Sequence, residues 1–452
     1  MLAGLLLVVY IISIQPLLGI ALVGIVLSAI LAHFFPVTTL TLAILLGQVA
    51  ETELSKVLGI DSKGFHFGSA WVRLTDPLVA GMVISMAIRL FNEAGLLSKF
   101  LRGPALLFTF FLAFLFLQVL RNIPSFGMAA PGEFRTYYQF FLLLPYVSFS
   151  VRSSADRARL YKVLIALAFS FVLWGFIRAW LIFHFHFAPY DKWLSGTGSL
   201  TLLYGLFSLY LAQREGQVKL PAPVLYSLYW IGITMILIAS TRAVWLAGGV
   251  GMITVWIGNR SSTGKNLKTL LLIPLFVLLL IPIFQYSGLD IIEFIRLRLV
   301  AFTDFQSDPT ALWRFRYWLA TIDQIIQHPW FGSGFGKDFG IYIPEFKTIE
   351  TTSPHNLYLA VVYQIGFIGF ASYLAWVIAL GVHLKRSRPL AGIDQAVVSL
   401  AGLILITIHA YGIAYSFERL FLPWTFVGLA FSYLQNEKTA LDIVPTLEEI
   451  TP

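Results

Sequence analysis

The chain contains no cysteine. Disulfides, thiolate nucleophiles and zinc–thiolate centres are therefore excluded. Charge is scarce: 12% of the 452 residues are Asp, Glu, Lys or Arg, about half the share of a soluble domain. No Walker-type phosphate loop is present, which argues against cytoplasmic ATP use. No D-x-D acidic pair falls in the outward-facing segments assigned below, so metal-held diphosphate chemistry is not expected. No metal ligands and no cofactor are assigned. No low-complexity tract and no repeat of about 20–50 residues stands out.

Apolar sequence fills the space. Hydrophobic residues make up 58% of the chain, and the mean hydropathy is +0.80. Apolar runs of about 17–25 residues read as membrane-spanning helices, and they recur from end to end. A β-barrel would show weak alternation in strands of about ten residues instead. The fold class predicted is an all-α polytopic membrane protein. It has about 12–14 transmembrane helices and one long, partly helical loop on the outer side. The opening "MLAGLLLVVYIISI" lacks a basic n-region and a clear cleavage site, so it reads as a first span.

Four short polar breaks are rich in Lys and Arg: "VRSSADRARLYK" (151–162), "QREGQVK" (213–219), "NRSSTGKNLK" (259–268) and "HLKRSRP" (383–389). The positive-inside rule assigns them to the cytoplasm. An even number of apolar segments separates each from the next. The pairs are 161–182 with 197–212, 223–240 with 244–258, and 270–285 with 356–382. Segments 393–412 and 420–434 follow. Upstream, 134–150, 104–121 and 74–91 are spans, with two or three more in the first fifty residues. Residues 1–434 form one membrane domain, and 435–452 form a polar cytoplasmic tail.

This topology leaves one long excursion on the outer side, about 286–355. Within "LWRFRYWLATIDQII" (312–326), Leu312, Leu319, Ile322 and Ile326 recur at helical spacing beside Trp313 and Trp318. An amphipathic helix at the outer interface is expected. The glycine-rich "HPWFGSGFGKDFG" (328–340) then reads as a turn back to the membrane. Arginines are numerous on this side. Arg121, Arg135 and Arg242 sit at span ends, where topology disfavours cations. The planar fork of arginine suits phosphate.

Individual signals each have an ordinary structural reading. Arg242, in the tight break of "IASTRAVWLAGGVG" (238–251), is a functional candidate or a snorkelling cation. Arg314 and Trp318, four apart, share a helix face, and Arg316 points elsewhere. Interfacial anchoring explains that trio as well. Lys337 and Asp338 follow the glycines. In "SPHNLYL" (353–359), Ser353 is placed at a helix cap and His355 in the first turn. A helix N-terminus disfavours imidazole protonation, which makes His355 a candidate general base. A capped helix with a water-facing histidine is the alternative. Asn356 is a candidate to hold a sugar hydroxyl or to orient a substrate. His184 and His186, in the "HFHF" stretch with Asp191 beyond, are a weak metal signal.

Taken together, "STRAVWL", "WRFRYWLATIDQIIQHPWFGSGFGKDF" and "SPHNLYLAVVYQIGFIG" resemble the O-antigen ligase family. More broadly they resemble the Wzy-type ligase and polymerase superfamily. The pattern is an arginine in a small-residue break, then R-x-x-x-W, h-P-x-x-G-x-G and H-N-x-aromatic-L with G-x-x-G downstream. It falls here on Arg242; Arg314 and Trp318; His328, Pro329, Gly332 and Gly334; and His355, Asn356, Tyr358, Leu359, Gly366 and Gly369.

The resemblance implies a metal-independent glycosyltransferase of the bacterial inner membrane, multi-pass, with its active site facing the periplasm in lipopolysaccharide biosynthesis. Its donor is an undecaprenyl-diphosphate-linked glycan. Its acceptor is a lipid A–core sugar for a ligase, or a second carrier-linked glycan for a polymerase. Membrane lipids are the other partners; nucleic acid is not. Catalysis is assigned to His355, Arg242 and Arg314, and substrate binding to Arg316, Asn356, Arg135 and Lys337. Two rivals remain: the polymerase, and a transporter. Transport predicts ionisable groups near the bilayer midplane, and Arg178 is the main such residue.

Overall fold

The computed structural model describes residues 16–47, 65–67, 70–72, 75–185, 194–239, 241–258, 309–337, 339–344, 346–350, 353–386, 392–415 and 421–441. It is helical, with almost no sheet. In chain order the helices are α1 (Pro16–Phe34), α2 (Pro36–Ile44), α3 (Asp76–Asn92), α4 (Leu96–Phe100), α5 (Pro104–Phe126), α6 (Ala129–Ser150), α7 (Ser154–Phe185), α8 (Gly196–Arg214), α9 (Ala222–Ile238) and α10 (Arg242–Gly258). They continue as α11 (Pro309–Gln327), α12 (Leu357–Arg386), α13 (Ile393–Gly412) and α14 (Phe421–Leu441). Two short antiparallel hairpins interrupt them: β1 (Phe65–Phe67) with β2 (Ala70–Val72), and β3 (Ile341–Ile343) with β4 (Thr348–Glu350). The second hairpin is an addition to the partly helical loop expected between α11 and α12.

Among the described residues, four helices are long and apolar enough to cross a membrane: 104–126, 154–178, 357–386 and 393–412. Shorter apolar helices lie within α1, α2, α9 and α10. The protein is therefore an all-α polytopic membrane protein. The expected first span (1–15), the span at 270–285 and residues 286–308 of the long loop lie outside the described residues. α14 continues past residue 435, so the tail begins as helix.

The polar breaks meet at one end of the bundle. Arg157, opening α7, forks onto Asp394 of α13 at 2.6 and 3.0 Å. Arg214, closing α8, reaches Ser399 of α13. A Cβ on Gly392 would lie 3.4 Å from Gln217. Breaks 151–162 and 213–219 thus both meet the start of α13, which the break at 383–389 precedes, as the parity of intervening spans requires. The break at 259–268 lies outside the described residues. His355 stands at the opposite end, because α12 and α13 each run the length of the bundle between the two.

Aromatic rings form the seam along which α5 and α12 run antiparallel. Phe108 packs on Trp376 at 5.0 Å and Phe111 on Tyr373 at 5.5 Å. Trp376 in turn stacks on Trp424 of α14 at 5.9 Å. Such rings bury large apolar areas and favour defined offsets, which sets the helices in register.

α12 is broken at Gly366, whose φ of 67° and ψ of −177° no helix contains. Two helical hydrogen bonds are lost there, those of the Phe367 and Ile368 amides to Tyr363 and Gln364. The loop after α11 replaces them. Phe367 N donates to Pro329 O at 2.8 Å, and Ile368 N to Trp330 O at 3.3 Å. Ser333 N donates to Tyr363 O at 2.7 Å, and Gly334 N to Gln364 O at 3.0 Å. The four backbone groups freed at these positions are thus paired again, as buried backbone requires. The glycine-rich stretch is therefore a splice into a split helix, and more than a returning turn. A Cβ on Gly366 would lie 2.3 Å from Trp330 O. Gly366→Ala is expected to destabilise the protein by about 2–4 kcal/mol through overpacking and left-handed strain. Thermal unfolding in detergent checks this. Gly402→Ala, which meets open space within α13, is the control expected to be neutral.

Candidate active site

α11 lies across the start of α12. Its buried face is Tyr317, Thr321 and Ile325, packed toward Tyr363 and the β3 residues Ile341 and Ile343. Phe315, Leu319, Ile322 and Ile326 stay exposed. Three residues of the expected apolar stripe, Leu319, Ile322 and Ile326, thus lie on the side of the helix turned away from the protein. The helix has two apolar faces, and the one bearing Tyr317 is matched by rings on α12. The outward stripe suits contact with lipid.

The Arg314–Trp318 face is turned toward His355. Trp318 Nε1 donates to Pro354 O at 2.8 Å, and Trp313 Nε1 to Glu350 Oε1 at 3.2 Å. These bonds fix the strand β4 end and the "SPHN" segment against α11. The His355 ring lies 5.9 Å from Trp313 and 5.9 Å from Tyr415. Arg314 Cζ lies over the Tyr415 ring at 5.4 Å. One tyrosine beyond α13 therefore touches both residues. The Tyr317 hydroxyl, beside this cluster, is pushed up well beyond its usual range by burial, then by Glu350 and Tyr363. It stays protonated at ordinary pH.

His355 departs from its expected place. α12 begins at Leu357, and its cap is Asn356, whose Oδ1 accepts from Leu359 N at 3.0 Å. Ser353 is not the cap, and His355 precedes the helix with φ at 49°. A left-handed non-glycine residue costs about 1–2 kcal/mol, and such strain gathers at functional positions. Asn356 Nδ2 donates to Ile413 O at 3.0 Å. Through the two ends of that amide Asn356 caps α12 and ties the His355 turn to the residue after α13.

Arg242 is the first residue of α10. Its neighbour Thr241 lies beside the start of α8: a Cβ on Gly196 would sit 3.4 Å from Thr241 Cγ2, 3.2 Å from Tyr411 Oη and 3.7 Å from Tyr415 Cε1. Three helix N-termini, those of α8, α10 and α12, thus open around Tyr411 and Tyr415. Helix N-termini carry positive potential and favour anions.

Three further residues carry substrate-binding assignments. Arg316 is exposed on α11. Lys337 follows Gly336, which packs on Phe126 and Ala130 at the α5–α6 turn. Arg135 stands on α6, and its side chain lies outside the described residues. A buried network there was not legible in the sequence. Gly336 N donates to Glu133 Oε2 at 2.5 Å, Gln364 Nε2 donates to Glu133 Oε1, and the Tyr137 hydroxyl donates to Gln364 Oε1. It anchors the splice to α6. The side chain of His184, and His186 and Asp191 entirely, lie outside the described residues. Among the described residues no group of three His, Asp or Glu could hold a metal ion.

Residues 227–374 match the family model described as O-antigen ligase. The matched segment contains Arg242, Arg314, His355 and Gly366, and ends before Tyr411 and Tyr415. A search of curated proteins returned no match to the chain.

Proposed function

With residues 227–374 assigned to the O-antigen ligase family, we propose that the protein is a metal-independent glycosyltransferase of the bacterial inner membrane. It passes a glycan from undecaprenyl diphosphate to a lipid A–core sugar at the periplasmic face. The observation that carries this reading is the focus itself. Three helix N-termini, Arg314 and His355 gather around one pair of tyrosines, with Arg242 opening one of those helices.

The chemistry follows from what each group supplies. The acceptor hydroxyl oxygen bonds to the anomeric carbon of the donor sugar. The bond from that carbon to the diphosphate oxygen breaks, and its electron pair leaves with undecaprenyl diphosphate. The acceptor proton passes to the His355 imidazole, whose role is general base. Charge growing on the diphosphate is met by Arg242 and Arg314, aided by the helix ends, in the manner of an oxyanion hole. Arg316, Arg135 and Lys337 would act at longer range on the same polyanionic donor. One displacement inverts the anomeric centre; an α-linked donor giving an α-linked product would overturn that step.

Reconstitution tests the whole. Purified protein in liposomes receives carrier-linked glycan with and without lipid A–core. Glycan on core is the expected product. Chain growth without core would make the protein a polymerase of the same superfamily. Neither product, together with solute flux, would favour a transporter.

A further inference from the structure

Tyr415 lies beyond residue 374, where the family match ends, and four groups meet its ring. Tyr411 stacks on it at 4.9 Å and 14°, which closes one face. The Arg314 guanidinium lies over the ring at 5.4 Å, and the stacked Tyr411 leaves it the other face. His355 approaches edge-on, at 5.9 Å and 65°. The start of α8 abuts the Cε1 edge through Gly196. With both faces taken, the ring is not a platform for a sugar.

Arg314 has no ion pair among the described residues, and its buried Nε finds no hydrogen-bond partner there. A carboxylate would hold this side chain but would also cancel its charge. A ring face holds it through the quadrupole and leaves the charge intact. We infer that Tyr415 is a positioning residue: its ring clamps the Arg314 guanidinium and sets the His355 imidazole, keeping both available to the donor phosphates and the acceptor hydroxyl. This inference rests on the glycosyl transfer proposed above.

The test grades the ring and not the hydroxyl. Full-length protein carries Tyr415→Phe, then phenylalanines of rising fluorination at 415, and separately Tyr415→Leu. Phe is expected to keep most of the transfer rate, because the ring survives. Successive fluorines drain the ring face, and kcat is expected to fall stepwise, by about 3- to 30-fold overall, at constant protein level in the membrane. Leu should fall at least as far. A flat fluorine series would overturn the clamp, since a purely steric role ignores ring charge. A second readout stands apart from activity: phenylglyoxal modification of Arg314, followed by mass spectrometry. Arg314 should react severalfold faster in the Leu variant and in rising order along the fluorine series. Equal rates throughout would overturn the clamp. A wild type inactive on every donor would overturn the glycosyltransferase reading while this second measurement still decided the clamp.

Discussion

His355→Gly is expected to lower the transfer rate by about 10²–10⁴-fold while leaving the protein folded. The first half follows from removing the only imidazole at the Tyr415 focus among the described residues. The second follows from the backbone. His355 has φ at 49°, a conformation glycine adopts freely and other residues adopt at a cost of about 1 kcal/mol or more. Asn356 still caps α12 and still reaches Ile413, so the helix start survives the change. Initial rates in proteoliposomes and thermal unfolding in detergent, measured on one preparation, separate the two effects. An unfolded variant would mean that the histidine is structural. A stable variant with near-normal transfer would remove it as the base.

Arg242→Lys is expected to cost about 10²–10³-fold in kcat, the loss seen when one preorganised donor to developing charge is removed. Lysine keeps the charge but loses the planar fork that grips two phosphate oxygens. The location makes the argument stronger. Arg242 begins α10, and a cation at a helix N-terminus works against the macrodipole by about 0.3–1 kcal/mol. Arg242→Gln loses the charge as well as the fork and is expected to be nearly inactive. Kinetics with varied donor concentration check the claim: the effect belongs in kcat if the fork acts on charge that grows as the bond breaks. A lysine variant at wild-type rate would show that charge alone suffices.

The membrane architecture was legible because hydrocarbon imposes a length. Apolar runs near that length fall on α5, α7, α12 and α13, and the basic breaks between spans meet at one end of the bundle. The Arg314–Trp318 face was legible too, since residues four apart on a helix point the same way, and Trp318 does reach Pro354. Other features were hidden for physical reasons. Tyr411 and Tyr415 end a span, where tyrosine ordinarily anchors in the interface, so nothing in "AYGIAYSF" marks a clamp. Gly366 sits inside a long, mainly apolar run, and a glycine in a span more often serves packing than a break. Glu133 and Gln364 meet across 231 positions of chain, a pairing that no local pattern encodes. The cap was misplaced by three residues because serine and asparagine are comparable caps, and only the left-handed turn at His355 decides between them.

The break in α12 also bears on how the membrane acts on this helix. A continuous span tilts as a rod when bilayer thickness changes. Here one loop grips both sides of the break: Ser333 and Gly334 bond to Tyr363 and Gln364, and Phe367 and Ile368 bond to Pro329 and Trp330. The two halves of α12 are thus cross-braced at their joint, and a tilt of either half pulls on the segment that follows α11.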